Sequence, residues 1–277
     1  MLKVHINTHI KNHYNKSQLF EEIIERLMMQ GINLNKISRN DLSGVDEFHV
    51  RGAEVSREIA KQINLNENRV LDVGCGIGGP ARLLADEFNC NVTGIDMSQE
   101  FILTARKLSE LVGLKDKTQF LQGDALELPF ENESFEVAWT QHVQMNVSDK
   151  SGFYSEIARV LTDNGRFIYY DVFRKNSSDL DFPVPWANDP SISFLGTIQN
   201  METILKNLGL TQVQSTDQTD NAIEFFSSMF ERNNKSGPKK LGMDILMGDS
   251  TPEKFGNLYK GLKEKKIVLQ SGVYKKS

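Results

Sequence analysis

The chain has little cysteine: two in 277 residues, Cys75 and Cys90. A disulfide-stapled scaffold and a cysteine-based zinc site both need more. Cys75 lies inside a glycine turn, so a structural disulfide is not expected and a reducing, cytoplasmic setting is. Long apolar runs are missing as well. None approaches the ~20 residues of a membrane span. Residues 1–16 hold His5, His9 and His13 among polar neighbours, without the apolar centre of a signal peptide. Positive charge is also short. The net charge of −5 argues against a nucleic-acid binder. The sequence has no internal repeat, nucleophile triad or metal-ligand cluster, so metal is expected at none of its sites. The glycine turn lacks the Gly-Lys-Ser/Thr ending of a nucleotide hydrolase. The remaining composition, 25% charged and 39% hydrophobic, is that of an ordinary globular protein with one sizeable core.

What is present centres on Val70-Leu71-Asp72-Val73-Gly74-Cys75-Gly76-Ile77-Gly78-Gly79-Pro80-Ala81. Residues 69–73 are apolar and β-branched enough for a buried parallel strand. Gly74, Gly76 and Gly78 then permit a sharp turn and close approach of another molecule. Pro80 fits the first turn of the helix that follows. Such a unit aims backbone N–H groups and a positive helix end at a ligand. Gly74, Gly76 and Gly79 also satisfy GxGxxG, which alone is a weak signal. The discriminating residue is Asp72, inside the strand. A dinucleotide fingerprint has no use for a carboxylate there, whereas the amino group of a methionine moiety would suit it.

The run Asp-Val-Gly-Cys-Gly-Ile-Gly-Gly, followed by Pro-Ala-Arg, resembles the first motif of class I S-adenosylmethionine-dependent methyltransferases. It is similar to small-molecule members, among them sarcosine/dimethylglycine N-methyltransferases and sterol or quinone C-methyltransferases. The resemblance implies S-adenosyl-L-methionine as cofactor, with S-adenosyl-L-homocysteine as product. Cys75 then belongs to the cofactor turn.

Two further acids fit this frame. Residues 91–96 read as the second strand, with Asp96 at its tip. An acid there, about 20 residues past a glycine turn, accepts ribose hydroxyls; a helix cap is the plainer alternative. Met97 would lie near adenine or fill core. Residues 118–122 read as the third strand, ending in Gly123-Asp124-Ala125. The resemblance implies that Asp124 accepts the adenine amino group and that the Ala125 N–H serves a ring nitrogen; a turn role for Asp124 stays open. Three acids on consecutive strand tips would share the sheet edge where open α/β sheets bind ligands.

Residues 134–139 read as the fourth strand. The loop after it, with Gln141, His142 and Asn146, approaches the transferred methyl group in the family. His142 is the candidate catalytic base, since imidazole titrates near neutrality; a purely orienting role is equally open. Gln141 and Asn146 offer hydrogen bonds toward cofactor and substrate. His49 and Arg51 lie just before a helix, in a segment that in similar enzymes often folds over the cofactor or substrate; a solvated loop is equally open. A Pro-aromatic insertion, Phe182-Pro183-Val184-Pro185-Trp186, interrupts the pattern after a fifth strand at 166–173 and is expected to act as a lid, with Phe182 and Trp186 in a pocket; a surface loop pinned by its own aromatics is the plainer alternative.

The expected fold is α/β: a Rossmann-like, seven-stranded, mostly parallel sheet with an antiparallel last strand and helices on both faces. A helical arm (1–68), a cofactor core (69–173) and a cap with C-terminal strands (174–277) form a single methyltransferase domain. Ser17 is the expected cap of a first helix beginning at Leu19, and residues 239–247 are expected to be helical. The expected partner is a small molecule such as sarcosine or dimethylglycine, or alternatively a quinone, sterol or other natural product acceptor. No nucleic acid and no membrane span are expected, and a homodimer is left open. Two other classes share the glycine turn: an NAD(P)-dependent oxidoreductase and a non-catalytic S-adenosylmethionine-binding protein.

Overall fold

A computed structural model describes residues 18–237 and 241–277. The expected cap Ser17 and part of the expected helix at 239–247 lie outside them. Seven strands run β1 (Arg69–Val73), β2 (Asn91–Asp96), β3 (Thr118–Gln122), β4 (Phe135–Gln141), β5 (Leu161–Arg174), β6 (Leu210–Asp217) and β7 (Ile267–Lys276). They form one sheet in the order β3-β2-β1-β4-β5-β7-β6. β1 lies between β2 and β4 and is parallel to both. β7 is antiparallel to β5 and β6, between which it is inserted. The strand order reverses between β1 and β4. Ligands of open α/β sheets bind at such a switch point, beyond the carboxyl ends of the strands.

Nine α-helices accompany the sheet among the described residues: α1 (Leu19–Met29), α2 (Ala53–Gln62), α3 (Gly79–Glu87), α4 (Gln99–Leu111), α5 (Lys150–Val160), α6 (Ile198–Asn207), α7 (Thr219–Ser236), α8 (Asp244–Met247) and α9 (Thr251–Lys263). Ser98 caps α4, its hydroxyl accepting the Phe101 N–H at 3.3 Å. Asp149 caps α5 through the Gly152 N–H at 2.9 Å. Of the helix expected at 239–247, the described residues contain the single turn α8. Residues 33–46 hold two 3₁₀ turns, Leu34–Lys36 and Arg39–Leu42.

Each side of the sheet has its own core. One gathers Val70, Val137, Trp139, Ile168 and Tyr170 with α2 and α3. The other gathers Leu71, Val73, Phe153, Phe167 and Tyr169 with α5 and α6. Alternation along β1 and β5 sends neighbouring side chains to opposite cores. Fully burying each aliphatic or aromatic side chain contributes roughly 1.5–3 kcal/mol, so β1 is held from both faces. α1 sits apart. Its Leu19, Ile23 and Leu27 join Ile77, Phe101 and Leu108 in a third cluster, which ties the arm to the glycine turn and to α4.

Two strands exceed expectation. β4 extends to Gln141, so Gln141 is the strand's last residue rather than part of a loop. β5 begins at Leu161, and Asp163-Asn164-Gly165 lies within it as an irregularity in the β4 pairing. No helix among the described residues is long and apolar enough to cross a membrane.

Candidate active site

The carboxyl ends of β1 to β4 open into a cavity whose empty volume, mouth included, is about 1320 Å³. Asp72, Asp96 and Asp124 all stand in its wall, beside Gly74, Cys75, Gly76, Met97, Ala125, Gln141 and His142. His49, Asn146 and Trp186 line it too.

The glycine turn works by shape more than by donation. The Gly74 and Cys75 N–H groups both donate to the Ile95 carbonyl, at 2.8 and 3.1 Å, and the Gly78 N–H donates to the Cys75 carbonyl at 2.9 Å. The Gly76 N–H is held by Asp96. The expectation that these amides await a ligand is therefore corrected: β2 and the turn itself engage them. What the turn offers is bare backbone. Gly76 has φ +54°, and a Cβ there would meet nothing within 4 Å. Gly78 is not in the cavity wall. It faces the Phe120 ring, which a Cβ would approach to 2.6 Å, so its role is packing at the start of α3.

Asp72 is the electrostatic centre. It is 1% exposed, and its Oδ2 is buried without a hydrogen-bond partner. Burial, reinforced by Glu47 and Asp96, pushes its carboxyl up to about 8. A buried, unpartnered carboxylate calls for a cation. Asp96 is oriented by two backbone donors, Gly76 N–H on Oδ2 and Ser98 N–H on Oδ1, both at 2.9 Å. Each oxygen keeps a lone pair for a hydroxyl. Asp124 Oδ1 accepts the Leu126 N–H at 2.9 Å, the turn geometry expected of it, while it also faces the cavity.

The arm supplies residues that the sequence did not reveal. Glu47 accepts from His49 Nε2 at 2.7 Å, and Ser56 Oγ reaches both Glu47 at 3.3 Å and Gln141 Oε1 at 3.2 Å. Trp139 Nε1 donates to Gln141 Oε1 at 2.9 Å, so this polar chain runs from the arm into β4 and fixes Gln141. Asp46, also in the cavity wall, forms a buried ion pair with Arg82 of α3. A signal existed: Arg82 interrupts Ala81, Leu83, Leu84 and Ala85, and a cation within an apolar helix run needs a buried partner.

Arg51 does not reach the cavity. Its guanidinium donates to Gln218 at 2.9 Å, Glu54 at 3.0 Å and Glu58 at 2.9 Å. It ties the arm to the start of α7 rather than facing a substrate. Three donor contacts to side chains on α2 and beside α7 hold it there.

His142, with φ +55°, follows β4 and donates its N–H to the Tyr170 carbonyl at 2.9 Å. Its ring lies 6.0 Å from that of His49 and 5.3 Å from that of Tyr170. Nε2 is buried without a partner. Burial, then nearby His49, holds its pKa well below the usual histidine range, so the imidazole is neutral at pH 7. Asp171 braces this loop, accepting the Val143 and Gln144 N–H groups at 3.3 Å each.

The insertion after β5 closes one side. Pro185 and Trp186 line the cavity, whereas Phe182 packs against the main core and does not. The segment is fastened: Asn146 Nδ2 donates to the Trp186 carbonyl at 2.9 Å, Trp186 Nε1 to Ser193 Oγ at 2.9 Å, and the Phe194 N–H to the Met145 carbonyl at 2.7 Å.

Residues 71–169, the cavity-forming part of the sheet, match the family described as methyltransferase domain. They are a methyltransferase domain. Sterol 24-C-methyltransferase of Aspergillus fumigatus is 31% identical over 182 residues, which cover 63% of this chain and 48% of that one. The chain thus spans less than half of that relative's length. Methyltransferase GfsG of Streptomyces halstedii is 27% identical over 209 residues, 75% of this chain and 72% of that protein. A Galdieria sulphuraria protein assigned as a sarcosine dimethylglycine methyltransferase shares the fold, with a TM-score of 0.65 and 18% identity over 80% of this chain and 85% of that one. Geranyl diphosphate C-methyltransferase of Streptomyces coelicolor does so with a TM-score of 0.67 and 12% identity over 82% and 79%. The methyltransferase domain supplies three of the cavity's four carboxylates, and the arm supplies the fourth, Asp46.

Proposed function

We propose that the protein transfers a methyl group from S-adenosyl-L-methionine to a small-molecule acceptor. The observation that carries this reading is the orphan carboxylate of Asp72 at the bare glycine turn, in one wall with Asp96 and Asp124. In this reading Asp72 takes the ammonium of the methionine moiety, with Gln141 and Cys75 beside it. Gly76 lets the donor lie against backbone. Asp96 takes the ribose hydroxyls, and Asp124, Ala125 and Met97 frame the adenine. When bound, the donor supplies an activated sulfonium methyl.

The remaining work is positioning and water exclusion, which favours an in-line displacement at ~3–3.5 Å. The acceptor side is walled by His142, Asn146 and Trp186, with His49 held against Glu47. A proton acceptor is needed only for an acceptor protonated at attack. His142 is neutral and reluctant to take a proton; its part is to orient the acceptor through a hydrogen bond, and a released proton passes to water. A cytoplasmic location belongs to the same reading, since both cysteines are free and buried.

Calorimetric titration with S-adenosyl-L-homocysteine tests the proposal. Saturable binding is expected, and no heat at millimolar ligand rejects it. A parallel NADH fluorescence titration separates the oxidoreductase reading, for which neither Asp72 nor Asp124 has a use.

A further inference from the structure

Two carboxylates near the glycine turn are only half engaged. Asp72 Oδ2 is buried without a hydrogen-bond partner, and so is Glu47 Oε1. Glu47 is 4% exposed. Its other oxygen, Oε2, accepts from His49 Nε2 at 2.7 Å and from the Ser56 hydroxyl at 3.3 Å, so the carboxylate is fixed while Oε1 is left over.

Sheet register puts the two acids on one face. Val70 and Asp72 share a side of β1, and Val70 belongs to the core covered by α2 and α3. Trp139 of β4 stands opposite Asp72 and joins the same core. Gln141, two residues further, faces the same way and exchanges hydrogen bonds with Ser56 of α2. Ser56 in turn donates to Glu47. Glu47 therefore lies on the side to which Asp72 points. Its neighbours Asp46 and Phe48 and its partner His49 all stand in the cavity wall. Asp72 registers the nearby charge: after burial, Glu47 raises its carboxyl more than Asp96 does. A single cation placed against both acids relieves their repulsion and satisfies both leftover oxygens.

We propose that Glu47 is a second ligand, supplied by the arm, for the ammonium of the donor's methionine moiety, shared with Asp72. This rests on the methyl-transfer reading above and deepens it. An ammonium has three N–H donors, enough for both acids and one further acceptor. The arm thereby completes the donor side of the cavity, and donor binding ties residues 46–49 to the end of β1.

The test titrates the full chain calorimetrically with S-adenosyl-L-homocysteine and with its deaminated analogue, which keeps the carboxylate, thioether and adenosine but lacks the ammonium. Glu47→Gln is expected to weaken S-adenosyl-L-homocysteine at least tenfold. The analogue should bind the variant as well as it binds the unaltered protein, or more tightly, because a negative charge has been removed. Equal losses for both ligands overturn the proposal, since Glu47 would then only hold His49 and Ser56. No loss for either overturns it as well. If Glu47→Gln fails to fold, Glu47→Asp carries the same comparison: withdrawing the carboxylate by one methylene should cost S-adenosyl-L-homocysteine more than the analogue, and equal costs overturn the proposal. If the unaltered protein binds neither ligand, the methyl-transfer reading falls first. If it binds S-adenosyl-L-homocysteine and the variant shows no selective loss, only the role of Glu47 falls.

Discussion

The Gly76 N–H donates to Asp96 Oδ2 at 2.9 Å, so the turn after β1 and the tip of β2 hold each other in place. With the Ser98 N–H on Oδ1, the Asp96 carboxylate has no freedom to rotate away from the cavity. Its remaining lone pairs are preorganised for hydroxyl donors. Hydrogen bonds to a charged group contribute about 1.5–3 kcal/mol each, and 1.4 kcal/mol is tenfold in affinity. Asp96→Ala should therefore weaken S-adenosyl-L-homocysteine binding by roughly 10- to 100-fold in calorimetry. Unchanged affinity would remove Asp96 from the site.

Asp72 makes binding depend on pH. Its carboxyl lies at about 8 in the free protein because burial disfavours the anion. Below that pH a cationic ligand must displace the proton. Affinity for S-adenosyl-L-homocysteine should rise by up to about tenfold per pH unit between pH 6.5 and 8, then level off. Buffers of different ionisation enthalpy should reveal proton release on binding. Stability runs the opposite way. A carboxyl raised from the unfolded ~3.9 contributes stability that is complete below that value and is lost as pH rises through about 8. Asp171, at about 7, acts in the same direction. The melting temperature of the ligand-free protein should fall from pH 6.5 to 8. Asp72→Asn should flatten both slopes, and a variant that keeps them would show that another group titrates.

Gly76 and Gly79, three residues apart in sequence, should respond differently to the same added methyl group. A Cβ on Gly79 would sit 1.6 Å from the Asp46 carbonyl oxygen, where the arm lies on the start of α3. Gly79→Ala must push the arm away and strain the buried Asp46–Arg82 pair, costing about 3 kcal/mol or more in denaturant unfolding. A Cβ on Gly76 meets no protein atom within 4 Å. Gly76→Ala costs only the ~1–2 kcal/mol of left-handed backbone. Its methyl group projects into the space where the proposed donor lies, so ligand affinity should drop more than tenfold while the fold persists. Equal effects in both variants would contradict this division.

These contrasts show which parts of the site the sequence discloses. β1, its turn and α3 are legible because few residue types tolerate a buried strand followed by positive φ, and Asp96 follows from a fixed strand-to-strand spacing. Side-chain direction is not legible. Arg51 looks available until Gln218, 167 positions away, comes alongside it. Gly78 looks like cavity lining until the Phe120 ring arrives from β3. Glu47 lies on a segment without periodicity, and its importance emerges only when Ser56 and Gln141 complete the polar chain. Strand ends slip for a similar reason: Gln141 counts as strand because Tyr170 of β5 pairs with it.

Lys150 joins the loop after β4 to the segment over the cavity. Its ammonium donates to the carbonyls of Gln144 and Val147 on one side and Phe194 on the other. Lys150→Met keeps the aliphatic stem but leaves three carbonyls without this donor. Each buried group deprived of its partner costs about 1–3 kcal/mol, so a loss near 3 kcal/mol in unfolding free energy is expected after partial rehydration. The damage should be local. Residues 175–197 should become the first site of limited proteolysis, because Trp186 is then held mainly through Asn146 and Ser193. Binding of S-adenosyl-L-homocysteine, whose proposed contacts lie at the ends of β1 to β4, should change less than threefold, while affinity for the methyl acceptor should fall about tenfold. Proteolysis that starts elsewhere, or parallel loss of both ligands, would mean that Lys150 supports the whole cavity rather than its cover.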